Sequence, residues 1–180
     1  MAITARIFIA GAIGAKVDSL NYELAKTIGK ELASRGFTIV SGAYMGISDA
    51  AFSGAISGNE NSKRLALACD EIEMQRNAHY SDIIVADNFF DMKMKSCINS
   101  DAFIFLPGCF GTLSMLFVVL QLKQLKLMGK KPVICVGEVL EEMFNNLSFY
   151  NSDILEFYQN GIFVKTADEV IKEIEKFFSV

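Results

Sequence analysis

Short apolar runs alternate along this chain with longer segments in which apolar residues recur every three or four positions. The short runs have the length of buried strands, and several of them end beside a glycine or a proline. They predict strands at residues 6–10, 37–40, 65–68, 83–86, 102–106 and 132–136, with a short last strand at 162–164. The periodic segments between them predict helices, so strands and helices alternate along the chain.

The clearest helical period is a leucine or isoleucine at every fourth position from residue 20 to residue 32. Asp18 or Ser19 is suited to cap the start of this helix, and Gly36 supplies a left-handed stop after it. Further helices are predicted from residue 47, at 88–99, 113–128, 139–146 and 152–158, and at the end of the chain. The alternation predicts an α/β fold: a doubly wound, mostly parallel sheet of six to seven strands with helices on both faces.

The composition favours one layered domain spanning residues 1–180. A chain of 180 residues is long enough for one well-buried core, and 52% hydrophobic with 21% charged residues suits a sheet covered on both faces. The formal net charge of −4 removes the general attraction that a basic domain has for nucleic acid or anionic lipid. We therefore expect neither nucleic acid nor a membrane as a partner.

Cysteine spacing and apolar runs favour a reduced chain without a metal site. The four cysteines lie far apart, mostly inside apolar runs, and lack the close pairing that a zinc site needs. No extended apolar segment follows a charged start, so a cytoplasmic location is expected. The longest apolar stretch, residues 113–122, is interrupted by Ser114 and Gln121 and is too short to span a bilayer.

Three glycine loops follow predicted strands, at residues 11–14, 42–46 and 108–111. Ligands of doubly wound sheets bind outside the carboxyl ends of the strands, where the strand order reverses, so these loops are candidate ligand sites. Gly11, Gly42 and Gly46 are the glycines that we expect to approach a ligand in the first two loops.

The third loop carries the strongest chemical signal, in the sequence Leu-Pro-Gly-Cys-Phe-Gly-Thr at residues 106–112. Glycines let the backbone come close to a ligand, and successive amides above a helix N-terminus attract phosphate. Thr112 either caps the following helix or donates its hydroxyl to a phosphate oxygen. The alternative is a tight strand-to-helix turn that binds nothing. The candidate binding residues of this loop are Gly108, Cys109, Phe110, Gly111 and Thr112.

The stretch 101–112 resembles the signature of the LOG (lysine-decarboxylase-like) family of Rossmann-type proteins, whose pattern is Pro-Gly-Gly-x-Gly-Thr-x-x-Glu. The glycine loop at 41–46 and the segments 130–133 and 160–163 stand at family-like places, so the resemblance covers nearly the full length. It implies a homodimer that binds a nucleoside 5'-monophosphate. Family enzymes hydrolyse the N-glycosidic bond to free base and ribose 5-phosphate, whereas relatives such as molybdenum cofactor carrier proteins chiefly bind. No motif places a cofactor lysine, so lysine decarboxylation is discounted and no cofactor is expected.

Two departures from that pattern affect catalysis. The motif glutamate falls at Met115 and the catalytic arginine at Met92, and a thioether replaces neither group. The lysine beside the arginine matches Lys93, although a one-residue gap between residues 85 and 100 brings Lys93 or Lys95 to the arginine position instead. Cys109 replaces the second motif glycine. The pattern favours a protein that binds a phosphorylated ligand without ordinary phosphoribohydrolase activity.

The alternative is an active nucleotide N-glycosidase with relocated catalytic groups. Its candidate groups are the charged residues of the segment 70–81, whose conformation the pattern leaves open: Asp70, Glu71, Glu73 and Arg76. A solvated polar loop is the simpler interpretation of that segment. The lone histidine, His79, has no spaced partner and receives no role.

The helix that begins at Leu113 and ends at Met128 is apolar on nearly all sides. One face can lie on the sheet, and helices of an open α/β layer normally keep a wet face, so the other face predicts a partner subunit. Phe89 and Phe90 are expected to join that surface. Burial within a monomer is the alternative.

Overall fold

A computed structural model describes residues 5–179 of the chain. Seven strands form one parallel sheet in the order β4-β3-β2-β1-β5-β6-β7. The strands are β1 (Arg6–Ala10), β2 (Thr38–Gly42), β3 (Arg64–Cys69), β4 (Asp82–Ala86), β5 (Ala102–Phe105), β6 (Val133–Val136) and β7 (Ile162–Val164). This architecture confirms the predicted doubly wound α/β fold with a parallel sheet.

In the same residues, six helices lie between these strands and a seventh follows β7, and together they cover both faces of the sheet. They are α1 (Leu20–Ser34), α2 (Ile47–Gly58), α3 (Phe89–Ile98), α4 (Phe110–Gln124), α5 (Glu138–Leu147), α6 (Ser152–Asn160) and α7 (Ala167–Phe178). Helices α1, α2 and α7 contribute to one apolar core, while α3, α4 and α5 contribute to the other. Within residues 5–179, no helix combines the length and the apolar character needed to cross a membrane.

The strand order reverses at β1, which pairs with β2 on one side and with β5 on the other. Ala10 is in register with Phe105, so these two strands end side by side. The loops that follow them therefore face each other, and the Ala12 amide donates a 3.1 Å hydrogen bond to the Pro107 carbonyl. This switch point is where ligands of doubly wound sheets bind.

Helix α4 begins and ends earlier than the sequence predicts. Cys109 is its N-cap, and the Leu113 amide donates a 3.0 Å hydrogen bond to the Cys109 carbonyl. The alternative in which Thr112 caps this helix is therefore wrong, because Thr112 lies inside the first turn. The helix also ends before Met128, at Gln124 with Leu125 as its C-cap, and Lys126 then takes a left-handed conformation with a φ of 59°. The expected stop residue, Gly129, has a positive φ of 65° but lies five residues past the helix end.

Helices α1 and α2 cross through a contact between backbones. A Cβ on Gly54 of α2 would overlap the backbone carbonyl of Lys26 in α1 and lie 2.9 Å from the Lys26 Cα. Gly29 of α1 meets Ala51 of α2 in the same way, with 3.0 Å from its Cβ position to the Ala51 Cα. Glycine at these two positions is what allows the helices to pack this closely.

Candidate functional site

A cavity of about 260 Å³ opens at the carboxyl ends of β1, β2 and β3, beside the loop that follows β5. Its walls come from strand ends, from the loops after them, and from α3 and α4. Apolar side chains make up most of its surface: Phe8, Ile9, Ala10, Ile13, Leu67, Ile72, Met74, Phe89, Met92 and Met115. No aspartate or glutamate from the described part of the chain lines it.

The first turn of α4 forms one end of this cavity. Within residues 5–179, no acceptor takes a hydrogen bond from the backbone N–H groups of Phe110, Gly111 or Thr112. These groups lie at the positive end of the helix dipole, which is a ready anion site. Gly111 is exposed, and a Cβ on it would meet no atom within 4 Å, so this side of the turn is unobstructed.

Two glycines shape this end of the cavity for different reasons. A Cβ on Gly108 would overlap Thr112 Oγ1 and lie 2.9 Å from the Ala12 nitrogen, so Gly108 lets the β1 and β5 loops touch. Gly46, with a φ of +73°, precedes α2 and would clash with the Ala12 and Ile13 carbonyls if it carried a Cβ. Both residues hold loops together and neither lines the cavity.

Lys93 is the charged residue of the cavity wall, and it is only 9% exposed. Its Nζ donates a 2.7 Å hydrogen bond to Ser114 Oγ in α4 and lies 4.4 Å from the centre of the Phe89 ring. No described carboxylate pairs with it, whereas Lys95 on the same helix pairs with Asp91 at 2.6 Å. Burial lowers the pKa of Lys93, because the charged form loses water and gains no counter-charge.

The two methionines that the resemblance places at the positions of the LOG family's catalytic residues both line this cavity. Met115 projects from α4 and is 5% exposed, and Met92 projects from α3 and is partly buried. The place where the resemblance implies an arginine and a glutamate is therefore occupied by two thioethers. A thioether carries no ionisable group and no proton for general acid–base chemistry.

The predicted site residues divide into those in the cavity wall and those beside it. The wall includes Gly11, Gly42, Lys93, Cys109, Gly111 and Thr112. Gly46 and Gly108 lie behind it, and Phe110 is 90% exposed on the outer side of the α4 N-terminus. Cys109 is also exposed, unlike the other three cysteines, which are buried as expected.

The segment 70–81 contributes apolar side chains to the cavity, which the sequence pattern did not reveal. Ile72 and Met74 line it, while the charged residues proposed as relocated catalysts do not. Arg76 pairs with Asp70 at 2.6 Å, and Glu71 accepts a 3.0 Å hydrogen bond from the Phe89 amide. These charges stabilise loop and helix ends and do not face the cavity.

A buried carboxylate joins this segment to α1 and α2. Asp49 accepts a 2.7 Å hydrogen bond from the Tyr22 hydroxyl and lies 2.9 Å from His79 Nδ1. His79, to which the sequence assigns no role, thus holds the end of the segment against α2. Burial, followed by the hydrogen bond to Asp49, raises the pKa of Tyr22 to about 12.

The raised pKa of Tyr22 predicts that the protein loses stability at high pH. The pKa of Tyr22 is higher folded than its ordinary value of 10.0, so its contribution is complete below pH 10 and is lost as pH rises toward 12. Between pH 9 and pH 11, we expect wild type to lose about 1.4 kcal/mol more unfolding free energy than Tyr22→Phe. Urea unfolding at the two values measures this, with exposed Tyr150→Phe as the control. Equal losses in all three proteins would contradict it.

Comparison with known proteins identifies a family and several structural neighbours. The family model described as "Possible lysine decarboxylase" matches residues 32–176. No curated protein gives a significant sequence match. The molybdenum cofactor carrier protein of Chlamydomonas reinhardtii superposes with a TM-score of 0.74 at 15% identity, covering 98% of this chain and 99% of that one.

Two further solved structures share the fold. The molybdenum cofactor binding protein of the phototrophic bacterium Rippkaea orientalis has a TM-score of 0.68 at 18% identity, with 97% and 96% of the two chains covered. DNA processing protein A of Streptococcus pneumoniae has a TM-score of 0.60 at 12% identity, and the match covers 94% of this chain and 61% of the Streptococcus chain. At these identities the likeness concerns the fold alone.

Proposed function

This chain belongs to the possible lysine decarboxylase family, and from that membership we propose that it binds a nucleoside 5'-monophosphate or a related phosphorylated ligand without hydrolysing it. The main supporting observation is that Lys93 is buried without a counter-charge, near backbone amides of α4 that have no hydrogen-bond acceptor. Lys93 and the first turn of α4 form the polar end of one cavity. The neighbours named for binding or carrying molybdenum cofactor support a binding role.

A phosphate is the ligand group that fits this end. A buried ammonium without a carboxylate is costly, and an anionic ligand would supply the missing charge. The free N–H groups of Gly111 and its neighbours would donate to phosphate oxygens, and the Thr112 hydroxyl lies in the same turn. An anionic ligand there would raise the pKa of Lys93 back toward its ordinary value, which couples the lysine charge to ligand binding.

The same cavity argues against ordinary phosphoribohydrolase activity. Cleavage of an N-glycosidic bond needs a group that activates water or stabilises positive charge on the sugar, and carboxylates do this in glycoside hydrolysis. The described lining contains no carboxylate, and Met115 stands where the resemblance places the glutamate. The buried carboxylate of Asp49, which contacts the segment 70–81, already accepts a hydrogen bond from Tyr22 and lies against His79.

A thermal-shift experiment with product analysis tests this function. A ligand at 100 times its Kd adds about 2.7 kcal/mol of unfolding free energy, which raises the Tm of a chain of this size by about 5–10 °C. We expect AMP to stabilise the protein in this way, with no adenine found by chromatography of the same mixture. Adenine in the mixture would contradict the absence of hydrolysis. The lack of stabilisation by AMP, ribose 5-phosphate and inorganic phosphate would contradict binding.

We also propose a homodimer formed through α3 and α4. Phe90, Met94 and Ile98 recur every four residues along α3 and are 76%, 41% and 72% exposed, and Phe110 and Phe117 of α4 are exposed as well. Monomeric proteins rarely expose so many large apolar side chains on adjacent helices. The sequence prediction named α4 and the two phenylalanines at the start of α3. Phe90 lies on the exposed face of α3 together with Met94 and Ile98, whereas Phe89 lines the cavity.

Light scattering measures the predicted dimer. At micromolar concentration we expect twice the chain mass of 19.9 kDa for wild type. Ile98→Glu should give the single-chain mass with an unchanged circular dichroism spectrum, because Ile98 is exposed within one chain and packs on no core. Val139→Glu, at a 64% exposed position on α5, is the control that stays dimeric. A wild type of single-chain mass would defeat this proposal.

A further inference from the structure

Ser114 contacts the buried lysine of the cavity but does not itself line the cavity. Resting on the proposed function, we infer that Ser114 is a positioning residue, which holds the Lys93 ammonium beside the first turn of α4, where the phosphate of the ligand would bind. The LOG pattern leaves this position open, because Ser114 falls on one of the two unspecified residues between its threonine and its glutamate. The role therefore comes from the contacts of this chain.

The cation and the amides of the anion site come from different helices, and one serine connects them. Lys93 projects from α3, whereas the amides without an acceptor belong to the first turn of α4. Lys93 Nζ donates a 2.7 Å hydrogen bond to Ser114 Oγ. Among residues 5–179, this is the one side-chain hydrogen bond that joins α3 to α4. The position of the ammonium relative to the α4 turn therefore depends on Ser114.

The orientation of the Ser114 hydroxyl suits this role. Its single proton goes to the Gly111 carbonyl, one turn earlier in α4, at 3.0 Å. The oxygen therefore presents its lone pairs to Lys93 and acts there as an acceptor. An ammonium has three N–H donors, and Ser114 takes one of them, so the other two remain for phosphate oxygens. Ser114 thus directs the cation without using up its capacity to bind an anion.

Without the Ser114 hydroxyl, the ammonium would be held by α3 alone. The other contact of Lys93 Nζ is with the Phe89 ring, whose centre lies 4.4 Å away and which belongs to the same helix. The four-carbon stem of lysine is flexible, so an ammonium attracted only by that ring would lose its fixed place beside α4. Binding groups act fully when they are held within about 0.5 Å of their working position. Loss of the hydroxyl should therefore weaken phosphate binding even though Lys93 is present.

Titration calorimetry on serine variants tests this role with AMP and inorganic phosphate as probes. We expect Ser114→Ala to raise the Kd of both probes about tenfold, because the ammonium is no longer directed to the phosphate. Ser114→Thr keeps a hydroxyl that can donate to the carbonyl one turn earlier, and it should restore most of the affinity. Ser57→Ala, which removes an exposed α2 hydroxyl with a similar bond to a backbone carbonyl, should change neither Kd. Wild-type affinity in Ser114→Ala, or equal losses in the alanine and threonine variants, would overturn the inference.

A pair of variants of equal size gives a second readout. Ser114→Asp would place a carboxylate against Lys93 and supply the counter-charge that otherwise comes from the ligand, whereas Ser114→Asn offers an acceptor oxygen without a charge. We expect the Kd for inorganic phosphate to be about tenfold or more higher in Ser114→Asp than in Ser114→Asn. Equal affinities would contradict the inferred position of the ammonium. If wild type bound neither AMP nor inorganic phosphate, the proposed function itself would fail, whereas binding by wild type and Ser114→Ala alike would remove only the role of Ser114.

Discussion

Gly54→Ala is expected to cost about 3 kcal/mol of unfolding free energy, although alanine is the better helix former. The added methyl would overlap the Lys26 carbonyl and lie 2.9 Å from the Lys26 Cα, both of them backbone atoms of α1. Backbone cannot move aside as a flexible side chain does, so the two helices must separate. The higher helix propensity of alanine offsets only about 1 kcal/mol of this loss of unfolding free energy.

Gly111→Ala provides the matched control, because the same substitution in the first turn of α4 meets no atom within 4 Å. We expect its Tm to equal or exceed that of wild type, and the Tm of Gly54→Ala to fall by about 6–12 °C. Differential scanning calorimetry on the three proteins measures both. A Gly54→Ala protein as stable as Gly111→Ala would show that the close contact between α1 and α2 is not required.

Lys93→Met is expected to separate stability from binding. Removing a buried cation that has no counter-charge should leave the unfolding free energy of the free protein unchanged or about 1 kcal/mol higher. The affinity for AMP should fall at least tenfold, because a charge-assisted hydrogen bond to phosphate is worth roughly 1.5–3 kcal/mol. The substitution keeps a long unbranched side chain, so the packing against Phe89 is preserved.

Lys95→Met, two residues away on the outward side of α3, is the control for charge. It removes an i,i+4 ion pair with Asp91, and such surface pairs contribute little, about 0.5 kcal/mol or less. Its AMP affinity should match wild type. Urea unfolding and titration calorimetry on both variants give the two quantities. Wild-type affinity in Lys93→Met would place the phosphate elsewhere, and a strong loss of stability would mean that Lys93 has a structural role.

Much of the fold follows from the sequence because its central strands, β1, β2, β3, β5 and β6, are largely buried on both faces. Continuous apolar runs between glycine or proline boundaries mark such strands, and the sheet contains all seven predicted ones. Element ends are less well determined. Threonine is a good N-cap residue, yet the chain starts α4 at Phe110, since the cap bond uses the Cys109 carbonyl and needs no particular side chain.

The candidate site was predictable where it depends on backbone and not where it depends on distant side chains. A glycine loop between a strand and a helix carries a local signal, and Gly111 and Thr112 do line the cavity. Ile72 and Met74 lie in a segment without periodicity, so no pattern places them in the wall. The contact between Gly29 and Ala51 joins two helices whose relative position depends on the whole sheet.

The missing counter-charge of Lys93 is also invisible in the sequence. Asp91 and Lys95 flank it within one turn of α3, and spacing alone does not tell which lysine is paired. Burial decides the matter: Lys95 faces outward with Asp91, while Lys93 turns into the cavity toward Ser114. Only the packed structure identifies the cation that an anionic ligand would neutralise.

Equilibrium dialysis against AMP, with chromatography of both chambers, tests the central claim most directly, because it reports binding and hydrolysis together. Binding without hydrolysis predicts that AMP accumulates in the protein chamber and that all of it is recovered intact, without adenine or ribose 5-phosphate. Adenine in either chamber would show that the two methionines did not abolish catalysis. Equal AMP concentrations on both sides would show that the cavity is not a nucleotide site.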